Sequence, residues 1–282
     1  MTGQDEPDER VSWGRGWHSP AGETAVNAAA YFRYIGRWSA LFAPAVVAAA
    51  EVSPGGSVLD VATGSGEAAL AAISSVGAAG RVVGTDVSVG MLTAARARLP
   101  VSVCPLVVAD GEMLPFRDGA FDAVMCQLGL MFFSDPGRGL REFRRVLSDG
   151  RRAAVCVLST TEGAPLWGVL ADALCAVLPA QRDVLQMSFR LADPSRLALL
   201  FSSAGFRDVG VRSMTREIRL TSLDDYWATI EAGTGQLPHA YRSLPDAARR
   251  QVRADVHARL TPLRTSTGLM MPLEVLIATG RK

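Results

Sequence analysis

The sequence predicts an α/β protein built on a doubly wound, mostly parallel sheet, and three observations carry that prediction. Short apolar runs alternate with helix-forming segments through the first half of the chain, at the spacing that crossover-connected parallel strands require. One run, VLDVATGSGEAAL at 58–70, passes an aspartate into a Gly64-Ser65-Gly66 turn and then into small helix formers. Acids also mark these runs: Asp60 lies inside the first, Asp86 ends the second and Asp110 ends the third.

Taken in order, residues 1 to about 20 are polar and Gly-rich, and the first ten are expected to be disordered. Alanines and aromatics from Thr24 to Ala50 predict two cap helices, broken near Gly36 and Pro44. Pro54-Gly55-Gly56 is a turn before a strand at Ser57–Ala62, and Glu67–Val76 reads as a helix closed at Gly77. RVVGTD (81–86) is the second strand, and Ser88 can cap the helix that carries Met91. VSVCPLVVAD (101–110) is a third strand, Asp118-Gly119 a turn and FDAVMCQ (121–127) a fourth strand. An amphipathic helix at 137–147 precedes a fifth strand, RRAAVCVLS (151–159).

The pattern then changes. Residues 160–192 are helical and loop-like, 194–204 form a helix ended by Gly205, and FRDVGVRSMTREIRL contains a β-rich stretch. Residues 222–262 are mostly helical, and PLEVLIATGRK closes the chain as a strand. A single domain is expected, with a core at about 57–158 and lid segments at about 160–192 and 222–262.

Composition prunes the chemistry. A hydrophobic fraction of 49% and a charged fraction of 20% are those of a globular protein. A net charge of +1 with no basic face argues against nucleic acid. The longest apolar stretch, LFAPAVVAAA, is too short for a membrane span, and the acidic N-terminus is unlike a signal peptide, so a cytoplasmic location is expected. Lysine occurs only at Lys282, which rules against P-loop and Schiff-base chemistry. Cys104, Cys126, Cys156 and Cys175 show no metal-ligand spacing, so no metal is expected and buried free thiols are the default.

The glycine turn by itself admits two ligands. GSGEAA fits the dinucleotide fingerprint, so a nicotinamide cofactor and another adenosine ligand both remain open at this point. The acids discriminate better. In a doubly wound sheet the strand C-termini share one edge, where ligands bind. An acid ending the second strand is placed to accept both ribose hydroxyls, and one ending the third can take the adenine amino group. Gln127 interrupts an otherwise apolar run, and a buried amide needs partners.

The ordered set VLDVATGSG…GTDVSVGMLTAAR…ADGEMLPFRDGAFDAV…LREFRRVL resembles class I S-adenosylmethionine-dependent methyltransferases, of the ubiquinone/menaquinone-biosynthesis type. YFRYIGRWSALFAP resembles the helix that precedes the core in such enzymes, and the resemblance spans about residues 30–158. It implies S-adenosyl-L-methionine as cofactor and a seven-stranded sheet with the last strand antiparallel. Position by position it implies a cofactor loop of Asp60, Gly64 and Gly66, with Asp60 beside the methionine part of the ligand. Asp86 becomes the ribose acid, Met91 and Asp110-Gly111 the adenine contacts, and Gln127 the neighbour of the sulfonium. Two departures stand out. Ala62 replaces the first glycine of the usual GxGxG, and Ser148-Asp149-Gly150-Arg151-Arg152 replaces a Pro-Gly-Gly, which should alter a turn.

Residues outside the core are less telling. His18 and His239 are candidate bases, although solvated histidines are the commoner case, as for His257. Tyr31, Trp38 and Trp227 are candidate substrate-pocket residues, with Tyr34 and Tyr241 as further aromatics that either line a pocket or pack the cap helices. The expected function is methyl transfer to a small, largely apolar molecule, a secondary metabolite or quinone-like precursor, by a monomer or homodimer. The rivals are a methyltransferase-fold enzyme that retains the ligand but catalyses cyclisation or isomerisation, a nicotinamide oxidoreductase, and a non-catalytic binding module.

Overall fold

The computed structural model describes residues 31–282 except Val101, Thr234 and the side chain of Arg33. Residues 24–30 of the expected cap helices, and His18, lie outside the described residues.

Eight strands form one sheet. The first half supplies β1 (Ser57–Val61), β2 (Arg81–Asp86), β3 (Leu106–Val108), β4 (Phe121–Gln127) and β5 (Leu147–Leu158). The second half supplies β6 (Arg207–Leu220), β7 (Arg264–Thr265) and β8 (Gly268–Arg281). Their order is β3-β2-β1-β4-β5-β8-β6, with β7 pairing β8 off that path. Strands β1 to β5 pair in parallel. β8 runs antiparallel between β5 and β6. Seven strands were expected. The eighth, β7, is a two-residue hairpin arm on Gly268-Leu269, too short to leave an apolar pattern in the sequence.

α1 (Ala43–Ala49) precedes β1, and between the parallel strands lie α2 (Glu67–Val76), α3 (Val89–Arg96) and α4 (Pro136–Val146). Ser88 caps α3 by accepting from the Met91 amide at 3.3 Å, as its sequence position predicts. The sheet centre is saturated with apolar side chains: Leu59, Val124, Met125, Cys126 and 153–157 are fully buried. A strand covered by helices on both faces reads as a continuous hydrophobic run, which is why these strands were legible.

Three boundaries differ from expectation. The helical run breaks at Ala40–Phe42, just before Pro44, but not at Gly36: a wide π turn at Phe32–Gly36 continues into a helical turn at Arg37–Ser39. Pro44 sits in the first turn of α1, where a missing N–H is no loss. The third strand shrinks from 101–110 to Leu106–Val108, with Pro105 just before it. The altered segment before strand five is no separate turn, because β5 begins at Leu147 and its pairing with β4 jumps between Phe121 and Ala123. That irregularity absorbs the extra residues as a bulge.

The second half builds a helical layer from α5 (Pro165–Val177), α6 (Arg182–Leu185), α7 (Pro194–Ser203), α8 (Leu223–Ala232), α9 (Gln236–Arg242) and α10 (Asp246–Leu260). α5 packs against α9 and α10, while α7 packs on α4, β6 and β8. Its aromatic centre is Trp227, 5.3 Å from the Tyr226 ring and 5.0 Å from the Tyr241 ring, with Arg253 4.6 Å above it. No helix among the described residues is long and apolar enough to cross a membrane.

Candidate active site

β1 ends at Val61, and the turn that follows bends left-handed at Ala62 (φ +56), Gly64 (φ +57) and Gly66 (φ +91). Only glycine adopts such angles at no steric cost. Local hydrogen bonds set the turn: Thr63 N–H donates to the Thr85 carbonyl at 2.8 Å, and Gly66 N–H to the Thr63 carbonyl at 2.9 Å. Gly64 N–H donates to Asp86 Oδ2 at 3.0 Å, while Asp86 Oδ1 accepts from Ser88 N–H at 2.9 Å. Asp86 thus ties the end of β2 to the turn of β1. Burial pushes its carboxyl pKa up, and the amides of Ser88, Gly64 and Val87 pull it back.

Asp60 lies deeper, fully buried. Its Oδ2 accepts from the Thr63 hydroxyl at 2.7 Å, and Oδ1 has no hydrogen-bond partner among the described residues. Burial pushes its pKa up to about 7; the Thr63 hydrogen bond opposes this, and Glu67 adds to it. Glu67 accepts from the Ser65 hydroxyl at 2.8 Å and pairs with Arg98.

The pKa of Asp60 has a consequence for stability. Raised from 3.8 to about 7, it means the folded chain holds a proton that the unfolded chain has lost. The Asp60 contribution is therefore least unfavourable below the unfolded value and worsens as pH rises towards about 7. Asp60→Asn is expected to raise the thermal midpoint of the ligand-free protein at neutral pH and to leave it nearly unchanged near pH 4. Thermal unfolding of both proteins across that range measures the difference. A gap that is constant with pH would show that the Asp60 carboxyl titrates alike in the folded and unfolded chain.

Around the turn opens a cleft with about 1340 Å³ of free space, its solvent-facing mouth included. Its lining combines Gly64, Asp86, Met91, Asp110 and Gly111 with Tyr34, Ile35, Phe133, Trp167 and Leu237, and Phe133 lies directly against Gly111. Gln127 and Tyr31 line the cleft and also a smaller adjoining cavity that reaches Asp60 and Glu67. Gln127 Nε2 donates to the Ser39 carbonyl at 2.7 Å, which orients the amide, and its Oε1 is buried with no partner among the described residues. Asp110 is exposed, and its Oδ1 accepts from the Glu112 amide at 2.8 Å.

Most of the predicted site residues therefore converge: Asp60, Gly64, Asp86, Met91, Asp110, Gly111, Gln127 and Tyr31 all border one cavity system. Four others do not. Gly66 caps α2 away from the lining, and a side chain there would meet Leu99 at 2.8 Å, so its reason is packing. Trp38 is buried against Arg37, 4.2 Å from its ring, and Trp227 is buried in the lid's own aromatic cluster. Neither borders the cleft. His239 is exposed on α9 and does not border it either. Conversely, Phe133, Ser188 and Gln236 line the cleft without having been singled out for it, while Trp167 lines it from segment 160–192, whose aromatic residues the sequence places over the ligand cleft. The one available signal was a tryptophan and a glutamine set in the two segments that interrupt the sheet pattern.

Known proteins share this arrangement. A family described as "Methyltransferase domain" matches residues 59–155. The demethylmenaquinone methyltransferase of Corynebacterium kroppenstedtii is 38% identical over 173 residues, covering 57% of this chain and 72% of that protein. The protein of the same name from Mycolicibacterium vanbaalenii is 36% identical over 178 residues, covering 59% and 75%. The chain belongs to the class I S-adenosylmethionine-dependent methyltransferases of the quinone-biosynthesis type.

Membership decides what the glycine turn left open: the cofactor of this methyltransferase is S-adenosylmethionine, not a nicotinamide. The fold also matches the phosphoethanolamine N-methyltransferase 2 of Haemonchus contortus, solved with phosphomonomethylethanolamine and S-adenosylhomocysteine. There the TM-score is 0.58 at 17% identity, covering 92% of this chain and 57% of that one.

Proposed function

We propose that this methyltransferase methylates a quinone precursor, a small and largely apolar aromatic molecule held among the aromatic side chains of the cleft. The observation that carries the reading is a single cavity whose lining combines the acids and glycines of the strand ends with aromatic and apolar side chains. The names of the relatives point to the same acceptor class.

The acids and glycines of this lining support a site for S-adenosylmethionine. Asp60 Oδ1 and Gln127 Oε1 are buried acceptors without partners among the described residues. The ligand's cationic amino group is the natural complement of Asp60, and Asp86 and Asp110 are placed to take ribose and adenine. The lining at Gly64 lacks a Cβ, which lets the ligand approach the backbone. Bound there, S-adenosylmethionine supplies a methyl group on a positively charged sulfur, ready for displacement by an electron-rich atom.

The chain's own task is then alignment and exclusion of water. Tyr34, Trp167 and Leu237 supply apolar lining against which a flat acceptor can lie beside the donor. Segments 160–192 and 222–262 supply part of this lining and act as a lid on a single domain, which works in the cytoplasm as a monomer or homodimer. An acceptor already electron-rich at the attacked atom needs little base catalysis.

Asp86→Ala is expected to weaken S-adenosylmethionine binding by about 1.5–3 kcal/mol, the range for hydrogen bonds to a charged group. Titration calorimetry measures it, and unchanged affinity would remove Asp86 from the site. The acceptor is tested by incubating the protein with methyl-labelled S-adenosylmethionine and chemically reduced 1,4-naphthoquinone. A singly methylated, labelled naphthohydroquinone is the expected product. Label that enters other compounds of a metabolite extract, but never the quinone, overturns the acceptor class.

A further inference from the structure

Arg98 lies just beyond α3 and lines neither cavity, yet three segments that border the cavities meet on its guanidinium. Its Nη1 donates to the Ser65 carbonyl at 2.8 Å, inside the glycine turn, and pairs with Glu67, the first residue of α2. The guanidinium also lies over the Phe32 ring, 5.1 Å from its centroid. Phe32 opens the π turn, and that turn rests on Glu67: a Cβ at Gly36 would stand 3.0 Å from Glu67 Oε1 and 2.8 Å from the Phe32 ring. The π turn and the residue before it bring Ile35 and Tyr31 into the lining of both cavities. One side chain thus joins the glycine turn, the start of α2 and the π turn.

The Glu67 side chain is 6% exposed, and a carboxylate buried so deeply needs a cation beside it. Arg98, 32% exposed, brings that charge in from the surface, and among the described residues it is the only cation paired with Glu67. Asp60 shares the smaller cavity with Glu67. Burial and, to a lesser extent, the Glu67 charge push the Asp60 carboxyl pKa up. The other titratable groups facing Asp60 are Asp86, Cys104 and Cys126.

We propose that Arg98 is a positioning residue of the cofactor site: it holds the glycine turn through Ser65 and the π turn through Phe32 and Glu67, and it screens Asp60 from the Glu67 charge. The inference rests on the reading above that Asp60 takes the ligand's amino group. It adds the device that favours the ionised form of Asp60 for that task.

The test is calorimetric titration of the full chain with S-adenosylhomocysteine, which carries the same amino group, between about pH 5 and about pH 9. In the wild type, affinity is expected to rise with pH and level off above about 7, as Asp60 ionises. Arg98→Met is expected to move that rise to higher pH by about one unit, because the Glu67 charge then acts on Asp60 unopposed. Glu67→Gln removes the charge itself and is expected to move the rise to lower pH. Arg98→Lys keeps the cation and is expected to leave the rise where it is. A purely structural contact gives no such opposite displacements. Thermal unfolding shows which variants are folded, and if Arg98→Met is not, Glu67→Gln decides alone. A rise at the wild-type pH in every folded variant overturns this inference and leaves the Asp60 reading standing. A wild-type profile without a rise overturns both.

Discussion

Gly64→Val is expected to abolish binding of S-adenosylmethionine, raising Kd at least about 100-fold, or about 3 kcal/mol. Two independent effects act together. The backbone at Gly64 has φ +57, an angle at which a β-branched residue is strained. A Cβ placed there would also sit 3.3 Å from the Tyr31 hydroxyl and 3.4 Å from Met91 Cε, inside the cleft itself. The branched methyls then occupy space that the ligand needs, and the Gly64 amide is pulled off Asp86, its partner at 3.0 Å. Calorimetry reads the affinity and circular dichroism reads the fold. Gly64→Ala, with one carbon only, is expected to give an intermediate loss. Wild-type affinity in the valine variant would mean that this turn shapes the backbone without touching the cofactor.

Trp227→Ala is expected to cost about 3–5 kcal/mol of stability, the usual range for truncating a buried aromatic. It is expected to leave the KM for the acceptor unchanged in whatever protein remains folded. The sequence reading places Trp227 on the acceptor wall; the structure gives its ring to Tyr226, Tyr241 and Arg253 instead. The variant loses those contacts and leaves a cavity under α8 and α10, which cannot close without moving either helix. Chemical denaturation measures the loss, and Trp227→Phe, which preserves most of the volume, should recover most of it. A higher KM with undiminished stability would return Trp227 to the acceptor wall.

The parts of the site that were readable from sequence share one property. Asp60, Gly64, Asp86, Asp110 and Gln127 each sit at or just beyond the end of a strand, and in a parallel sheet strand ends share one edge. Chain position alone therefore places them near one another. Gly66 was readable as part of the turn but not as a packing residue, since its neighbour Leu99 lies far along the chain, at the end of the following crossover. The aromatic residues carried no comparable signal. Tyr31, Tyr34, Trp38, Trp167 and Trp227 all occur in apolar helical surroundings, where period and composition are the same for a ring that packs and a ring that lines a cavity.

The sequence by itself determined the alternating elements, the left-handed turn after β1, the capping of α3 by Ser88 and the acids at the sheet edge. Each follows from interactions within a few residues or from a strict topological rule. The tertiary structure alone decided that Trp167 faces the cleft while Trp38 and Trp227 do not, that Asp60 lies deep enough for its pKa to climb to about 7, and that Gly66 serves packing. These outcomes depend on how elements distant in the chain settle together: the N-terminal turns and α1 beside β1 and β4, Leu99 against Gly66, and the second-half helices around Trp167 and Trp227. Such contacts are long-range, and burial and desolvation exist only once they have formed.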